Sequence, residues 1–116
     1  MLKKELRIRK QKDFDNIFNK GVYFSEKFLA LKIVENNLEI SRFGFIVSNK
    51  ISKKAVERIR IKRLLREVVR LKWDKIKSGF DVLFIFRGKE VKKSFQEIDI
   101  VVEKLLKKSG LLVKKK

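Results

Sequence analysis

The chain has 116 residues, 44% of them hydrophobic and ten of them Phe, which allows one domain with a modest core. Lys and Arg outnumber Asp and Glu by 32 to 14, and the net charge of +18 points to a polyanion, either nucleic acid or an anionic membrane. With no Cys and no His, disulfides, thiolate or imidazole zinc sites, His bases and Cys nucleophiles are excluded, and the composition suits a reducing cytoplasm.

Residues 1–12 read as a basic arm carrying Lys3, Lys4, Arg7, Arg9, Lys10 and Lys12, with Leu6 and Ile8 as apolar anchors. It has no apolar stretch of the kind a secretory leader needs. The longest strictly apolar run, Val82 to Phe86, is too short to span a bilayer. Asp13 to Lys20 predicts a short helix capped by Asp13 and followed by Gly21. Phe14, Ile17 and Phe18 share one of its faces. That face either docks wholly on a sheet or leaves a ring exposed to stack on a base.

From Val22 to Val34 the pattern is that of strands, with Leu29, Leu31 and Ile33 on one face and Phe28, Ala30 and Lys32 on the other. Ile40 to Ser48 reads as the next strand. The short link containing Asn36 and Asn37 predicts an antiparallel hairpin between the two. A long helix follows from about Lys53 to Trp73, with Ser52 at the N-cap position. Phe80 to Phe86 is an apolar strand expected at the centre of the sheet. Arg87-Gly88-Lys89 turns the chain. Ser94 and Glu97 form a capping box that opens a last helix, ended by Ser109-Gly110 and followed by a short basic tail, 111–116. The expected architecture is one α+β domain over residues 1–116: a single-domain α/β sandwich with an about four-stranded mixed sheet. The long basic helix sits in a crossover connection.

On a helical wheel advanced by about 100° per residue, Ile61, Leu64, Leu65, Val68 and Leu71 fall on one arc. Arg58, Lys62, Arg63, Arg66 and Arg70 fall on another. Neighbouring cations on a helix repel, by a few tenths of a kcal/mol for each i,i+4 pair. Folding does not require that repulsion, so the cationic face is read as a polyanion-binding rail. Glu67 lies to one side of it. Ile59 projects from the middle of the rail and is expected to be exposed despite being apolar. The acidic residues Asp13, Asp15, Asp74, Asp81 and Asp99 are spread over different elements and form no catalytic set. A chain of this kind relies on a partner for any chemistry.

The stretch from Lys54 to Arg70, KAVERIRIKRLLREVVR, resembles the signature of the protein subunit of bacterial ribonuclease P, KAVxRNRxKRxxRE. Lys54, Ala55, Val56, Arg58, Arg60, Lys62, Arg63, Arg66 and Glu67 stand at its positions, and Ile59 replaces its Asn. Phe14-x-x-Ile17-Phe18-x-x-Gly21 resembles the family's aromatic N-terminal helix. Arg42-Phe43-Gly44-Phe45-x-Val47-Ser48-x-Lys50 and Asp81-Val82-Leu83 resemble its flanking strands. The resemblance implies a left-handed crossover through the signature helix. It also implies a protein that binds a catalytic RNA, which with Mg²⁺ cleaves the 5′ leader from precursor tRNA. Lys54, Arg58, Arg60, Lys62, Arg63, Arg66 and Arg70 would meet the catalytic RNA. Phe14, Phe18, Lys50 and Lys53 would line a cleft for the single-stranded leader. No catalytic group and no metal site is expected in the protein itself, which is expected to be cytoplasmic and monomeric. The alternative is a basic ribosomal or other structured-RNA binding protein with no processing role. A membrane-surface protein fits less well, because the rail lacks the Trp or Leu needed to insert beside its cations.

Overall fold

The computed structural model describes residues 4–48, 50–88 and 91–113. Parts of the expected arm (1–3), the segment before the long helix (Asn49), the Arg87-Gly88-Lys89 turn (Lys89) and the tail (114–116) lie outside them. The elements are α1 (Gln11–Lys20), β1 (Val22–Glu26), β2 (Leu29–Glu35), β3 (Arg42–Val47), α2 (Ala55–Lys72), β4 (Phe80–Phe86) and α3 (Phe95–Lys108). They form an α+β fold around one four-stranded mixed sheet, in the order β1-β2-β4-β3.

The expected hairpin between β2 and β3 does not form. Both strands pair with β4 instead, β2 antiparallel and β3 parallel. The reason lies in β4 itself, FDVLFIF, which is buried along nearly its whole length and therefore takes an interior place. The link 36–41 passes the start of β4 and is tied to it. Asn36 N–H donates to the Gly79 carbonyl, and Ser41 Oγ donates to the Lys77 carbonyl and accepts from Phe80 N–H. Among the described residues the only hairpin is β1 with β2, turned at Lys27, whose φ is +50°.

Strand alternation divides the core. Leu29, Leu31, Ile33, Phe43, Val47, Val82, Phe84 and Phe86 face α2 and α3 in the larger cluster. Leu83, Ile46 and Ile85 face the other way and pack with Ile8, Phe14 and Ile17 in a smaller one. Thus α1, with Ile8 ahead of it, covers that face of the sheet.

The helix ends differ from expectation at three places. Helix α1 begins at Gln11 with Lys10 as N-cap, and Asp13 sits in its first turn, ion-paired to Arg42 rather than capping. Gly21 ends α1 with an extended backbone. It is needed for space, since a Cβ there would collide with the Ile17 carbonyl. Lys54, not Ser52, is the N-cap of α2, and it makes no side-chain cap. Ser52 Oγ instead donates to the Glu57 carboxylate and accepts from Lys54 N–H. By contrast, α3 opens with the Ser94–Glu97 capping box in both directions. The segment after α3 is no free tail at its start. Leu111 is buried, and residues 111–113 are strapped to 75–77 by Lys77 N–H to the Leu111 carbonyl and Val113 N–H to the Lys75 carbonyl.

Candidate nucleic-acid interface

Helix α2 is rotated by about 40° from the expected phase, as judged at 100° per residue. Its buried residues are Ile61, Leu65, Val68 and Val69, while Leu64 is half-buried and Leu71 is 54% exposed. The wheel weighs hydrophobicity alone. In the fold, contact with the sheet and with α3 decides, and Lys72 is drawn toward α3 by Asp99 and Glu103. Ile59 is 46% exposed, as expected for the middle of the cationic face.

The expected rail residues are differently engaged. Lys54 and Arg63 are exposed, and Lys62 is half-buried. Arg58 is half-buried and donates through Nη1 to the Ser52 carbonyl at 2.7 Å, which fixes the approach to the helix. Arg60 reaches sideways to the Val91 and Lys93 carbonyls ahead of α3. Arg66 is half-buried. Burial, then the charges of Arg7 and Arg63, hold its guanidinium below its ordinary pKa. Arg70 is paired with Glu67 through Nε and Nη2, which lowers the Glu67 pKa and raises that of Arg70. Glu67, although it lies to one side of the rail, therefore relieves one end of it. Leu71 and Val56 join Ile59 as exposed apolar residues on this helix.

The other face of the sheet carries the second candidate surface. Tyr23, Lys32, Leu83 and Gly44 stand in register across it. Helix α1 lies along this row. Phe14 is half-buried above β3, close enough to Gly44 that a Cβ there would sit 3.0 Å from the Phe14 ring. Phe18 is 44% exposed at the β2 side. The Lys32 ammonium lies 5.4 Å from the Phe18 ring centroid and donates to the Phe18 carbonyl at 3.0 Å. The next row, Ser25, Ala30, Ile85 and Ile46, forms a floor beside α1. Lys50 and Lys53 are exposed on the segment between β3 and α2, and among the described residues neither ammonium stacks on Phe14 or Phe18. The residues missed from the sequence are Lys32 and Tyr23. Their signal was the alternation that set Lys32 opposite Leu31 and Ile33.

Several carboxylates pair with cations, among them Asp13, Asp81 and Glu26. Asp81 is almost fully buried and binds Arg42 in a two-pronged pair at 2.9 and 2.7 Å, with Asn36 as a third donor. Glu26 pairs with Lys108, which lowers its pKa. Among the described residues no group of three or more Asp or Glu side chains is placed to hold a metal ion. No helix among them is long and apolar enough to cross a membrane.

A family model described as Ribonuclease P matches residues 2–110. The ribonuclease P protein component of Alkaliphilus oremlandii is 40% identical over 106 residues, covering 91% of this chain and 92% of the relative. That of Caldanaerobacter subterraneus is 36% identical over 115 residues, covering 99% and 98%. The solved structure of the Staphylococcus aureus RNase P protein superimposes with a TM-score of 0.84 at 28% identity, covering 92% of this chain and 97% of that one. The Thermotoga maritima RNase P protein does so with a TM-score of 0.80 at 30% identity, covering 88% and 96%. By sequence over nearly its full length and by fold, the chain belongs to the ribonuclease P protein family.

Proposed function

We propose that this chain is the protein subunit of ribonuclease P, binding the catalytic RNA and the 5′ leader of precursor tRNA during maturation of the tRNA 5′ end. The observation that carries this reading is the cationic face of α2. It stands away from a continuous buried stripe, and Arg63 and Arg66 on it have no carboxylate partner among the described residues. Lys54, Arg58, Lys62, Arg63 and Arg66 contact the RNA backbone, with Arg60 bracing the neighbouring loop. Arg70 contributes less because Glu67 already occupies it. Phe18, with the Lys32 ammonium over its ring, receives an unstacked leader base, while half-buried Phe14 anchors α1 on the sheet. Lys50 and Lys53 supply charge where the leader leaves the floor of the sheet. The Mg²⁺ ions and the cleaving groups belong to the RNA.

The test is reconstitution. Protein added to its cognate catalytic RNA is expected to restore precursor tRNA cleavage at low Mg²⁺, and protein alone, freed of RNA, is expected to cleave nothing. Binding without any gain in cleavage would favour a structured-RNA binder with no role in processing.

A further inference from the structure

Helix α1 is tied to the sheet at both ends, and the two ties differ in kind. At its last turn the Lys32 ammonium donates to the Phe18 carbonyl at 3.0 Å from an exposed position. At its first turn Arg42 Nη1 donates to Asp13 Oδ2 at 3.4 Å, with both side chains half-buried. Arg42 is not free to follow Asp13. Its Nε and Nη2 bind Asp81 at 2.9 and 2.7 Å, and Asp81 stands opposite it in the register of β3 and β4. Asp81 is itself buried and takes a further donor from Asn36. A guanidinium is a flat, rigid fork. With two of its nitrogens fixed by the sheet, the direction of Nη1 is fixed as well, and α1 must bring Asp13 to it.

The apolar contacts beneath α1 set its height but not its place along the sheet. Gly44, two residues beyond Arg42 on β3, lets the helix come close. A Cβ there would lie 3.0 Å from the Phe14 ring and 3.1 Å from Leu83. Phe14 and Ile17 then rest on Leu83, Ile46 and Ile85. Such burial is non-directional, so it tolerates a helix that slides or turns. The Arg42 fork supplies the direction. Phe18 follows Asp13 by five residues, about 7.5 Å along a helix axis, so a shift at the first turn is carried to its ring.

We propose that Arg42 and Asp13 are positioning residues for the leader: the chain Asp81–Arg42–Asp13 sets where α1 stands over the sheet, and so where the Phe18 ring meets a base. Neither side chain touches the RNA. This rests on the reading of Phe18 as the ring that receives a leader base. It gives Asp13 a duty other than capping, and it makes the buried pair of β3 and β4 a determinant of how precursor is told from mature tRNA.

The experiment uses the full chain assembled with its cognate catalytic RNA, and measures affinity for leader-bearing precursor and for mature tRNA. The variants are Asp13→Asn, Asp13→Glu, Phe18→Ala and the double variant Asp13→Asn with Phe18→Ala. The melting midpoint of each free protein is measured beside them. Asp13→Asn keeps the shape of the side chain and removes its charge. It is expected to lower precursor affinity about fivefold, the upper worth of a partly exposed ion pair, and to spare mature tRNA. Asp13→Glu still reaches Arg42 and is expected to keep most of the precursor affinity. Because Asp13 acts through Phe18, the double variant is expected to bind precursor as Phe18→Ala does, with no further loss.

A loss from Asp13→Asn that persists in full beside Phe18→Ala would mean that Asp13 acts apart from that ring, and would overturn the proposal. Equal losses for precursor and mature tRNA would make Asp13 merely structural and overturn it too. So would a lowered midpoint in Asp13→Asn with precursor affinity intact. Asp13→Glu as weak as Asp13→Asn would remove the tie to Arg42 as the cause. If Phe18→Ala separates precursor from mature tRNA while Asp13→Asn does not, the positioning fails and the reading of Phe18 stands. If Phe18→Ala leaves that separation unchanged, the reading of Phe18 fails and takes the proposal with it.

Discussion

Two phenylalanines one helical turn apart have opposite duties. Phe14 packs with Ile8, Ile17 and Leu83, whereas Phe18 turns a large part of its ring to solvent under the Lys32 ammonium. Phe18→Ala is expected to weaken binding of leader-bearing precursor by about 1–3 kcal/mol, the worth of a stacked base, and to spare mature tRNA. Phe14→Ala is expected to cost about 2–3 kcal/mol of stability, because it empties part of the apolar layer beneath α1. Chemical denaturation of both variants, beside binding of the two RNAs, checks the division. Equal effects on precursor and mature tRNA would remove Phe18 from the leader. Ile59 is the second residue to test. It is nearly half exposed and stands with Val56 and Leu64 beside Arg60 and Arg63. Ile59→Asn is expected to change stability by less than about 0.5 kcal/mol, as surface substitutions do. It is expected to tighten RNA binding by restoring an amide between cations. A large loss of stability would contradict the exposure that places Ile59 among them. That exposure was legible in the sequence, because a stripe of Ile61, Leu65 and Val68 fixes which side faces inward. The burial of Phe14 against Phe18 was not, since residues four apart share a face and only the sheet beneath decides which ring it covers.

Within α2 the charges are not equivalent. Arg70 and Glu67 form a pair at the exposed end of the helix, leaving Arg63 and Arg66 as the open part of the face. Arg70→Ala is therefore expected to weaken RNA binding less than Arg63→Ala. Glu67→Gln is expected to free Arg70, raising affinity and steepening the salt slope by up to about one. Titrations at several salt concentrations decide this, and equal losses for Arg70→Ala and Arg63→Ala would count against it. The helix itself, its length and its two faces were readable from spacing alone. Its rotation was not. Val69 and Leu71 are both apolar and lie on either flank of the stripe, so the wheel had no ground for burying the smaller one. The pairing of Glu67 was also hidden, because the wheel sets it off the rail, while its carboxylate reaches Arg70 one turn on. In α3 nothing interfered: Ser94 and Glu97 carry their cap within four residues, and that local bonding appears unchanged in the fold.

At the scale of the whole molecule, alternation told which side each strand shows to the core, and it left open which strands are neighbours. Phe43 and Val47 turn inward, yet the Asn36-Asn37 link is a passage across the end of β4 and not a hairpin turn. Leu29, Leu31 and Ile33 would meet the core equally well beside either strand. The order β1-β2-β4-β3 also sets a sequence of events. Before residue 80 is made, the hairpin of β1 with β2 is the one pairing between these four strands that is available, because β2 and β3 each wait for β4. A fragment ending at residue 79 is expected to show slowed amide exchange in that hairpin at most, and none in β3. Protection in β3 of such a fragment would show a pairing that the finished sheet does not use. A nascent chain thus leaves the ribosome with its arginine-rich helix already made and its sheet still open. For that interval the cations of α2 are displayed before there is a core to hold them in place.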